Sequence, residues 1–539
     1  MPPLQGRRRP PQLDRTTAAL PHLPGYRNHP LTHSRPRPLG GDPHDLQRNT
    51  HPPSCRPGGP PRKVTAITPD TTSAGRRALL DREARLRQLP EVDRDAIRLA
   101  QEPHFARLIE QITATGGCSH PVHLSGSTTT LDGTTGEILH RYDTRHEPGE
   151  RLLVRCRNRR ATVCPACSRL HAGDTYHLVR AGLLGGQNVP DTIRYRPRLF
   201  ITLTAPSFGA VHRTGEICRP RRDGGHCEHG RLVSCGTSHA ADAPVVGQPL
   251  CPDCYDYTAH VLWHAHASKL WDRFVIDVRR RLASSVGLVQ SRFAQHARLS
   301  FARVAEYQRR AAVHVHAVVR LDGPAGPADE PPSWGSTEHL ADAVQASARR
   351  VLVRTPYSPA VGELSLRWGV QIDVRSLRID GEGPDDDAVA AYVAKYVTKG
   401  ASETGAGIDH PIATWEEIGA APVSDHVRTL MRTCWYLGGL PECAPLRLRA
   451  WAHTLGYRGH ILTKSRAYST TYAALRADRA AHRESDRPSV EAPVTEATWR
   501  YVGSGHTPGA AQFAAGIAED LALNREFVRA ARDEQRWGE

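Results

Sequence analysis

The chain has 539 residues, enough at about 150 residues per domain for two to four domains, which excludes a small protein held together mainly by disulfides. Lysine and arginine outnumber aspartate and glutamate by 71 to 56, which gives a net charge of +15 and an isoelectric point near 9.5. This excess favours a polyanionic partner, and nucleic acid is the first candidate.

Targeting signals are not evident in the sequence. No apolar run approaches the roughly 20 residues of a membrane helix, and the arginines at 7–9 are not followed by the apolar stretch of a signal peptide. We therefore expect a cytoplasmic protein. The 12 cysteines would be reduced in that compartment, so they are expected to bind metal rather than form disulfides.

Residues 1–77 hold 16 of the 42 prolines and carry 13 basic against four acidic side chains. This composition predicts a disordered basic tail. We expect a solvated extension, or a stretch upstream of the true start codon, in preference to a DNA-binding arm. Folded protein is expected from residue 78, where apolar residues recur at helical spacing.

The rest of the chain divides by composition into a helical lead-in (78–115), a zinc-binding segment (116–190), a central domain (191–400), a basic extension (401–475) and a mostly helical tail (476–539). The patterns in and around the central domain predict a strand at 198–206, a helix at 257–283, strands at 298–308 and 314–321, a helix at 338–353, a strand at 368–377 and a helix at 385–400. This order predicts an α+β domain of ferredoxin-like or RRM-like type, an antiparallel sheet with helices on one face.

The strand HVHAVV carries two histidines, His314 and His316, whose spacing of two places both imidazoles on one face. If the two strands form a hairpin across 308–313, Glu306 lies close enough to be a third ligand. Two imidazoles and a carboxylate would leave coordination positions open for a phosphate oxygen, as a Lewis-acid catalyst requires. The alternative is a pair of exposed strand histidines with no metal.

The segment AAYVAKYVTKG predicts a helix with two adjacent stripes. One is apolar, and the other holds two phenols and two ammonium groups, Tyr392, Lys395, Tyr396 and Lys399. An ammonium beside a phenol favours the nucleophilic phenolate and attracts phosphate. An ordinary amphipathic helix is the alternative. Lys395, Lys399 and Lys464 are, however, three of the five lysines in the chain, and all three lie in segments suspected of phosphate contact.

Nine cysteines lie between 118 and 254, and the pairs CPAC (164–167) and CPDC (251–254) have zinc-knuckle spacing. One partition places Cys118, Cys156, Cys164 and Cys167 on one structural zinc, and Cys251 and Cys254 on another with two of Cys218, Cys227, Cys235 and His229. A single four-thiolate site built from both knuckles is the alternative. The segment 212–256 separates the first strand from its helix and is interpreted as a Cys-rich insertion.

Nucleic-acid contacts are further expected from the run YRGHILTKSRAYSTTY (457–472), through Arg458, His460, Lys464 and Arg466, together with Lys399. A solvated amphipathic surface would have the same composition. The sequence has neither a GxxxxGK[ST] loop nor a GxGxxG after a strand, which argues against a fused ATPase or a dinucleotide enzyme.

The strand FITLTAP, the HxH strand and the helix YVAKYVTK, in this order, resemble the three motifs of HUH endonucleases, and the tyrosine helix is most similar to the two-tyrosine class. Segments such as CRNRRATVCPACSRL (156–170), EYQRRAAVHVHAVVRLDG (306–323) and LGYRGHILTKSRAYSTT (455–471) resemble replication initiators of actinobacterial plasmids and integrative elements. The resemblance covers about residues 100–475.

This resemblance implies that His314, His316 and Glu306 bind Mg²⁺ or Mn²⁺ and that Tyr392 and Tyr396 are nucleophiles assisted by Lys395. It implies nicking of one strand of origin DNA through a 5′-phosphotyrosine, which leaves a 3′-hydroxyl to start rolling-circle replication. A host helicase and polymerase are expected as partners. Two alternatives remain, a conjugative relaxase of the same fold and a non-catalytic zinc-containing DNA-binding regulator.

Overall fold

The computed structural model describes residues 73–220, 224–377, 386–398, 408, 410–484 and 493–537. Residues 77–539 cluster into one compact unit. Of the tail predicted to be disordered, residues 1–72 lie outside the described residues. Residues 73–77 belong to the first helix. No helix in the described part of the chain has the length and apolarity needed to cross a bilayer.

The helices are α1 (Ser73–Gln88), α2 (Glu91–Ala100), α3 (Phe105–Ala114), α4 (Pro165–Leu184), α5 (Tyr257–Ser285), α6 (Phe293–His296), α7 (Thr337–Arg350), α8 (Asp386–Thr398), α9 (Trp415–Ala420), α10 (Asp425–Leu437), α11 (Tyr472–Glu484) and α12 (Pro508–Trp537). The strands are β1 (Val122–Asp132), β2 (Ile138–Asp143), β3 (Leu152–Val154), β4 (Arg198–Leu203), β5 (Arg298–Tyr307), β6 (Val313–Asp322), β7 (Val353–Arg354), β8 (Ser365–Leu366), β9 (Ile372–Ser376), β10 (Leu462–Lys464) and β11 (Pro493–Ser504).

Five strands form the central sheet in the order β10-β5-β6-β4-β9, and every neighbouring pair is antiparallel. Strands β5 and β6 form the predicted hairpin, joined by a turn in which Gln308 and Ala312 share a backbone hydrogen bond. The prediction of a mixed α+β protein with an antiparallel sheet is thereby confirmed. Strand β10, which was not predicted, extends the sheet beside β5.

The prediction of helices on one face of this sheet is wrong, because both faces are covered. Alternate β6 residues such as Val315 and Ala317 pack with α5, α7 and α10 in the larger core. On the opposite face, Val318 joins β5 residues in a second core against α4 and α8. Successive side chains of a strand project to opposite faces of the sheet, and in β6 the side chains on both faces include apolar ones. Each face must therefore be buried by helices.

A second sheet joins distant parts of the chain. Strand β1 pairs along its whole length with β11, from Val122 opposite Ser504 to Asp132 opposite Pro493, and also pairs with β2 and β3. The segment that forms β11 lies within the tail predicted to be mostly helical. It alternates small or polar residues with Trp499 and Tyr501, which is a strand pattern, but its partner lies more than 350 residues away in the sequence.

Charged groups are fully buried where the central sheet meets α4. The Asp322 carboxylate accepts hydrogen bonds from Arg196 (2.9 Å), Arg320 (2.7 Å) and Ser300 (2.6 Å), and the side chains of the three charged residues are at most 1% exposed. Arg320 also donates to the Gly182 carbonyl near the end of α4. The carboxylate is thus a shared counter-ion for two buried guanidinium groups, of which Arg320 ties α4 to the sheet.

We expect Asp322→Asn to lower the free energy of unfolding by about 3–5 kcal/mol, because two buried guanidinium groups would lose the carboxylate that they share. Urea denaturation followed by circular dichroism measures this change. The matched control is Asp425→Asn, which removes a carboxylate that is 98% exposed and pairs with Arg428. This control should cost less than about 1 kcal/mol. Equal losses in the two variants would contradict the role assigned to Asp322.

Candidate functional site

The β5–β6 hairpin brings one carboxylate and two imidazoles together. Glu306 is directly opposite His314 in the ladder, and His316 is opposite Val304, two residues earlier on β5. Glu306 Oε2 lies 2.8 Å from His314 Nε2 and 3.3 Å from His316 Nε2, and the two Nε2 atoms are 3.1 Å apart. All three side chains lie on the sheet face that carries α8.

These separations fit a divalent cation. Adjacent ligands of an octahedral ion with bonds of about 2.1 Å are about 3.0 Å apart, which is the spacing found among the three atoms. The three atoms would occupy one face of the octahedron, so three positions would stay open for water or substrate oxygens. The residues present therefore fit a metal such as Mg²⁺ or Mn²⁺.

Two polar neighbours orient the imidazoles. Thr202 on β4 lies opposite His316 in the ladder, with its Oγ1 2.9 Å from His316 Nδ1. Gln308 Nε2 lies 3.4 Å from His314 Nδ1. Each contact occupies Nδ1 and leaves Nε2 facing the centre of the group. The sequence analysis missed both residues, although Thr202 could have been found by placing the FITLTAP strand next to the HxH strand.

Electrostatics favour the metal-binding protonation states. Burial raises the pKa of Glu306, but hydrogen bonds and charge from His314 and His316 outweigh burial and bring this pKa to about 2. Burial lowers the pKa of His316. An anionic carboxylate and a neutral imidazole are the forms that bind a cation.

Tyr392 lies against this group. Its hydroxyl is 3.0 Å from His316 Nε2. Phe200 stacks parallel to the His316 ring at 5.9 Å and meets the Tyr392 ring edge-on at the same distance. The helix is held in place by Val389 and Val393, which are buried in the second core, as the sequence pattern predicted.

Charged contacts fix the start of α8. The fully buried Arg198 of β4 donates to Asp386 at 2.8 Å, and Arg180 and Tyr176 of α4 donate to Asp387 at 2.8 and 2.9 Å. These anchors lie at the N-terminal turn, where carboxylates are favourable. They position Tyr392, which lies less than two turns further along the helix.

Only part of the predicted tyrosine and lysine stripe is described. Lys395 is exposed on α8, one turn after Tyr392. The side chain of Tyr396 and the whole of Lys399 lie outside the described residues, as does the side chain of Val397 in the apolar stripe.

The nine cysteines fall into three groups, two of which also contain histidines. Cys118, Cys156, Cys164 and Cys167 form one group, in which Cys118 Sγ lies 3.8 Å from Cys164 Sγ and 3.6 Å from Cys167 Sγ. Cys251 and Cys254 group with Cys227 and His229, whose Nδ1 lies 3.3 Å from Cys254 Sγ. Tetrahedral zinc places two thiolates about 3.8 Å apart and a thiolate and an imidazole about 3.5 Å apart.

This grouping decides between the open partitions. A single site built from both knuckles is wrong, because the first knuckle faces Cys118 and Cys156 whereas the second faces Cys227 and His229. Cys218 and Cys235, which were candidates for the second site, join neither group. They lie beside His212 and His239, a grouping that the sequence analysis did not foresee.

A basic and aromatic pocket of about 480 Å³ receives two of the predicted DNA contacts, Arg458 and His460. Its wall also contains Arg159, Arg160 and the stacked pair of Trp451 and His453. Among the described residues that line it, none is acidic. Tyr307 in its wall follows Glu306 on β5, and the two side chains project from opposite faces of the sheet.

Two further predicted contacts, Lys464 and Arg466, differ in exposure. Lys464 is half-buried at the edge strand β10, and its ammonium donates to backbone carbonyls, among them that of Ser469 at 3.0 Å. Burial lowers its pKa. Arg466 is exposed two residues later. Lys464 therefore organises the following loop, and Arg466 projects from it.

We expect Thr202→Val to weaken Mn²⁺ binding by about 10–100-fold, because His316 loses the partner that holds its ring. Electron paramagnetic resonance of free Mn²⁺ during titration measures the affinity. Thr463→Val is the matched control, since the Thr463 hydroxyl on β10 of the same sheet is buried without a partner. Equal affinity in wild type and Thr202→Val would exclude an orienting role.

A family model and a known protein match this chain. The family described as "Replication initiator protein, pSAM2" matches residues 104–519, more than three quarters of the chain. A replication initiator protein of Streptomyces ambofaciens is 46% identical over 456 residues, covering 82% of this chain and 96% of that protein. No solved structure matches.

The family match also extends past residue 475, where the sequence analysis ended the resemblance, and includes β11 and the first turns of α12. The C-terminal segment is thus part of the family's shared chain. Both matches cover more than two thirds of the chain. The chain therefore belongs to the pSAM2 replication initiator protein family.

Proposed function

We propose that this replication initiator nicks one strand of its origin DNA, with Tyr392 as nucleophile and with Glu306, His314 and His316 holding a divalent cation. The observation that carries the proposal is the 3.0 Å contact between the Tyr392 hydroxyl and His316 Nε2, beside the other two ligand atoms. A phenol at this position reaches any phosphate whose oxygen fills an open position of the metal site.

Mg²⁺ or Mn²⁺ bound there would polarise the phosphate and offset the charge that develops on it. The Tyr392 oxygen forms a bond to phosphorus, the bond from phosphorus to the 3′ oxygen breaks, and the phenolic proton is passed on so that the 3′ oxygen leaves as a hydroxyl. The products are a 5′-phosphotyrosine and a 3′-hydroxyl primer. Because the new ester keeps the energy of the old one, resealing requires no ATP.

Further roles on α8 rest on the sequence pattern. Tyr396, one turn after Tyr392, is proposed as the second nucleophile, which would cut at the end of a round of rolling-circle replication. Lys395, exposed on the same helix, would neutralise charge at the phosphate. Lys399 is proposed as a further phosphate contact.

The basic pocket is proposed to bind single-stranded origin DNA away from the cleaved phosphate. Arg159, Arg160 and Arg458 offer cations for the backbone, and Trp451 with His453 offers rings for base stacking. The first cysteine group supports this wall, since the Asn158 backbone N–H donates to Cys156 Sγ at 3.4 Å.

Metal in the two cysteine groups that contain the CxxC pairs is proposed to be structural zinc, because four protein ligands leave no open coordination position. Duplex contact is expected from Arg466 and the loop organised by Lys464. The sequence has no ATP-binding loop, so we expect a host helicase and polymerase to supply unwinding and synthesis.

The first experiment incubates the purified chain and Mn²⁺ with supercoiled DNA from its own genetic neighbourhood. Denaturing gels should show a covalent protein–DNA adduct, which peptide mapping places on α8. Tyr392→Phe should reduce nicking by at least about 10³-fold because the nucleophile is lost. The matched control, Tyr436→Phe, changes a tyrosine that is 60% exposed on α10 and should nick at the wild-type rate.

Other outcomes separate the alternatives. An adduct that persists in Tyr392→Phe and maps to Tyr396 would reverse the proposed order of the two tyrosines. Full nicking by the double variant Tyr392→Phe and Tyr396→Phe would contradict the tyrosine mechanism. Tight duplex binding by a wild type that forms no adduct with any strand would favour the non-catalytic regulator.

We expect Arg458→Ala to weaken binding of a single-stranded origin oligonucleotide and to reduce the slope of log K against log salt by about 0.7, as for one lost phosphate contact. Fluorescence anisotropy at several salt concentrations measures both quantities. Arg349→Ala, at an exposed arginine of α7 outside the pocket, is the control. An unchanged slope in Arg458→Ala would remove Arg458 from the DNA path.

A further inference from the structure

The insertion between β4 and α5 has almost no hydrophobic core. Between residues 210 and 254, with 221–223 not described, the buried side chains other than glycine belong to Val246, Pro249 and two cysteines, Cys218 and Cys251. A segment of this size that buries so few apolar groups requires cross-links to hold a defined fold. Cys251 belongs to the second cysteine group, whereas Cys218 does not.

Cys218 lies in a group of two thiols and two imidazoles, with His212, Cys235 and His239. His212 Nδ1 lies 3.3 Å from His239 Nε2 and 3.9 Å from Cys218 Sγ, and Cys235 Sγ lies 3.2 Å from His239 Nε2. The four ligand atoms are all within 4.8 Å of one another.

These distances are those of a tetrahedral metal site. With Zn–S bonds of about 2.3 Å and Zn–N bonds of about 2.05 Å, tetrahedral angles place two imidazole nitrogens about 3.3 Å apart and a nitrogen and a sulfur about 3.5 Å apart. The two cysteines are 17 positions apart and carry no CxxC spacing, so the group arises only from the fold of the insertion.

We infer that His212, Cys218, Cys235 and His239 bind a third zinc ion, separate from the two expected at the other cysteine groups. Two thiolates and two neutral imidazoles balance the charge of Zn²⁺ at this half-buried position. Four protein ligands close the coordination sphere, so the ion is structural.

Backbone contacts agree with this assignment. The Arg213 backbone N–H donates to Cys218 Sγ at 3.3 Å, a donor that a zinc-bound thiolate accepts. Cys218 also exchanges backbone hydrogen bonds with the segment after Cys235, which fixes the two thiols side by side.

The third site connects to the catalytic hairpin. The Gly247 backbone N–H donates to the His212 carbonyl at 2.8 Å. A Cβ on Gly247 would lie 2.3 Å from the Arg309 carbonyl oxygen, so the insertion rests directly on the turn between β5 and β6. The ion would thus fix the segment of the insertion that supports this turn.

The test counts zinc in the full chain carrying His314→Ala, so that the Glu306 group does not contribute. Plasma mass spectrometry after dialysis should give three zinc ions per chain. Adding His212→Ala with His239→Ala should lower the count to two. The matched control, His226→Ala, alters an exposed histidine of the same insertion that belongs to none of the groups and should keep three.

A parent count of two that the double change leaves unaltered would overturn the inference, as would a disulfide between Cys218 and Cys235 in non-reducing mass spectrometry. X-ray absorption at the zinc edge of the parent decides the matter if the double variant fails to fold. Three filled sites average three sulfur and one nitrogen ligands per zinc, whereas the other two groups alone average 3.5 and 0.5.

Discussion

The antiparallel register of β5, β6 and β4 is the constraint on which the site depends. His316 has Thr202 on one side and Val304 on the other, and Glu306 with His314 forms the next row along the hairpin. Because side chains alternate across a strand, a slip of one residue in β6 would turn both imidazoles into the larger apolar core. The free-energy cost of burying two imidazoles in an apolar core therefore maintains the register.

The face of the central sheet that carries α8 contains both apolar packing residues and residues of the candidate site. Toward one end, Val318 meets Val389 and Val393 and fixes α8 on the sheet; toward the other, His316 meets Tyr392. Burying each valine contributes about 1.5–3 kcal/mol. These apolar contacts and the charged anchors at the start of α8 together determine the position of the tyrosine.

Features set by local periodicity were accessible from the sequence. The spacing of His314 and His316 defines a shared face in any strand, and a short turn predicts a hairpin that brings Glu306 alongside. The β1–β11 pair could not be predicted, since an exposed alternating strand matches many partners equally well. His212 and His239 carry no spacing signal at all, because each reaches the thiols only after the insertion has folded.

Gly247 gives the insertion a particular mode of attachment. It lies with φ at +91° and brings its own backbone against that of Arg309, so no side chain mediates the contact. Insertions of different sequence could therefore be exchanged between relatives without redesigning the hairpin, provided that a glycine is kept at the point of support. The insertion, which we propose binds zinc, can therefore change in sequence independently of the hairpin that it supports.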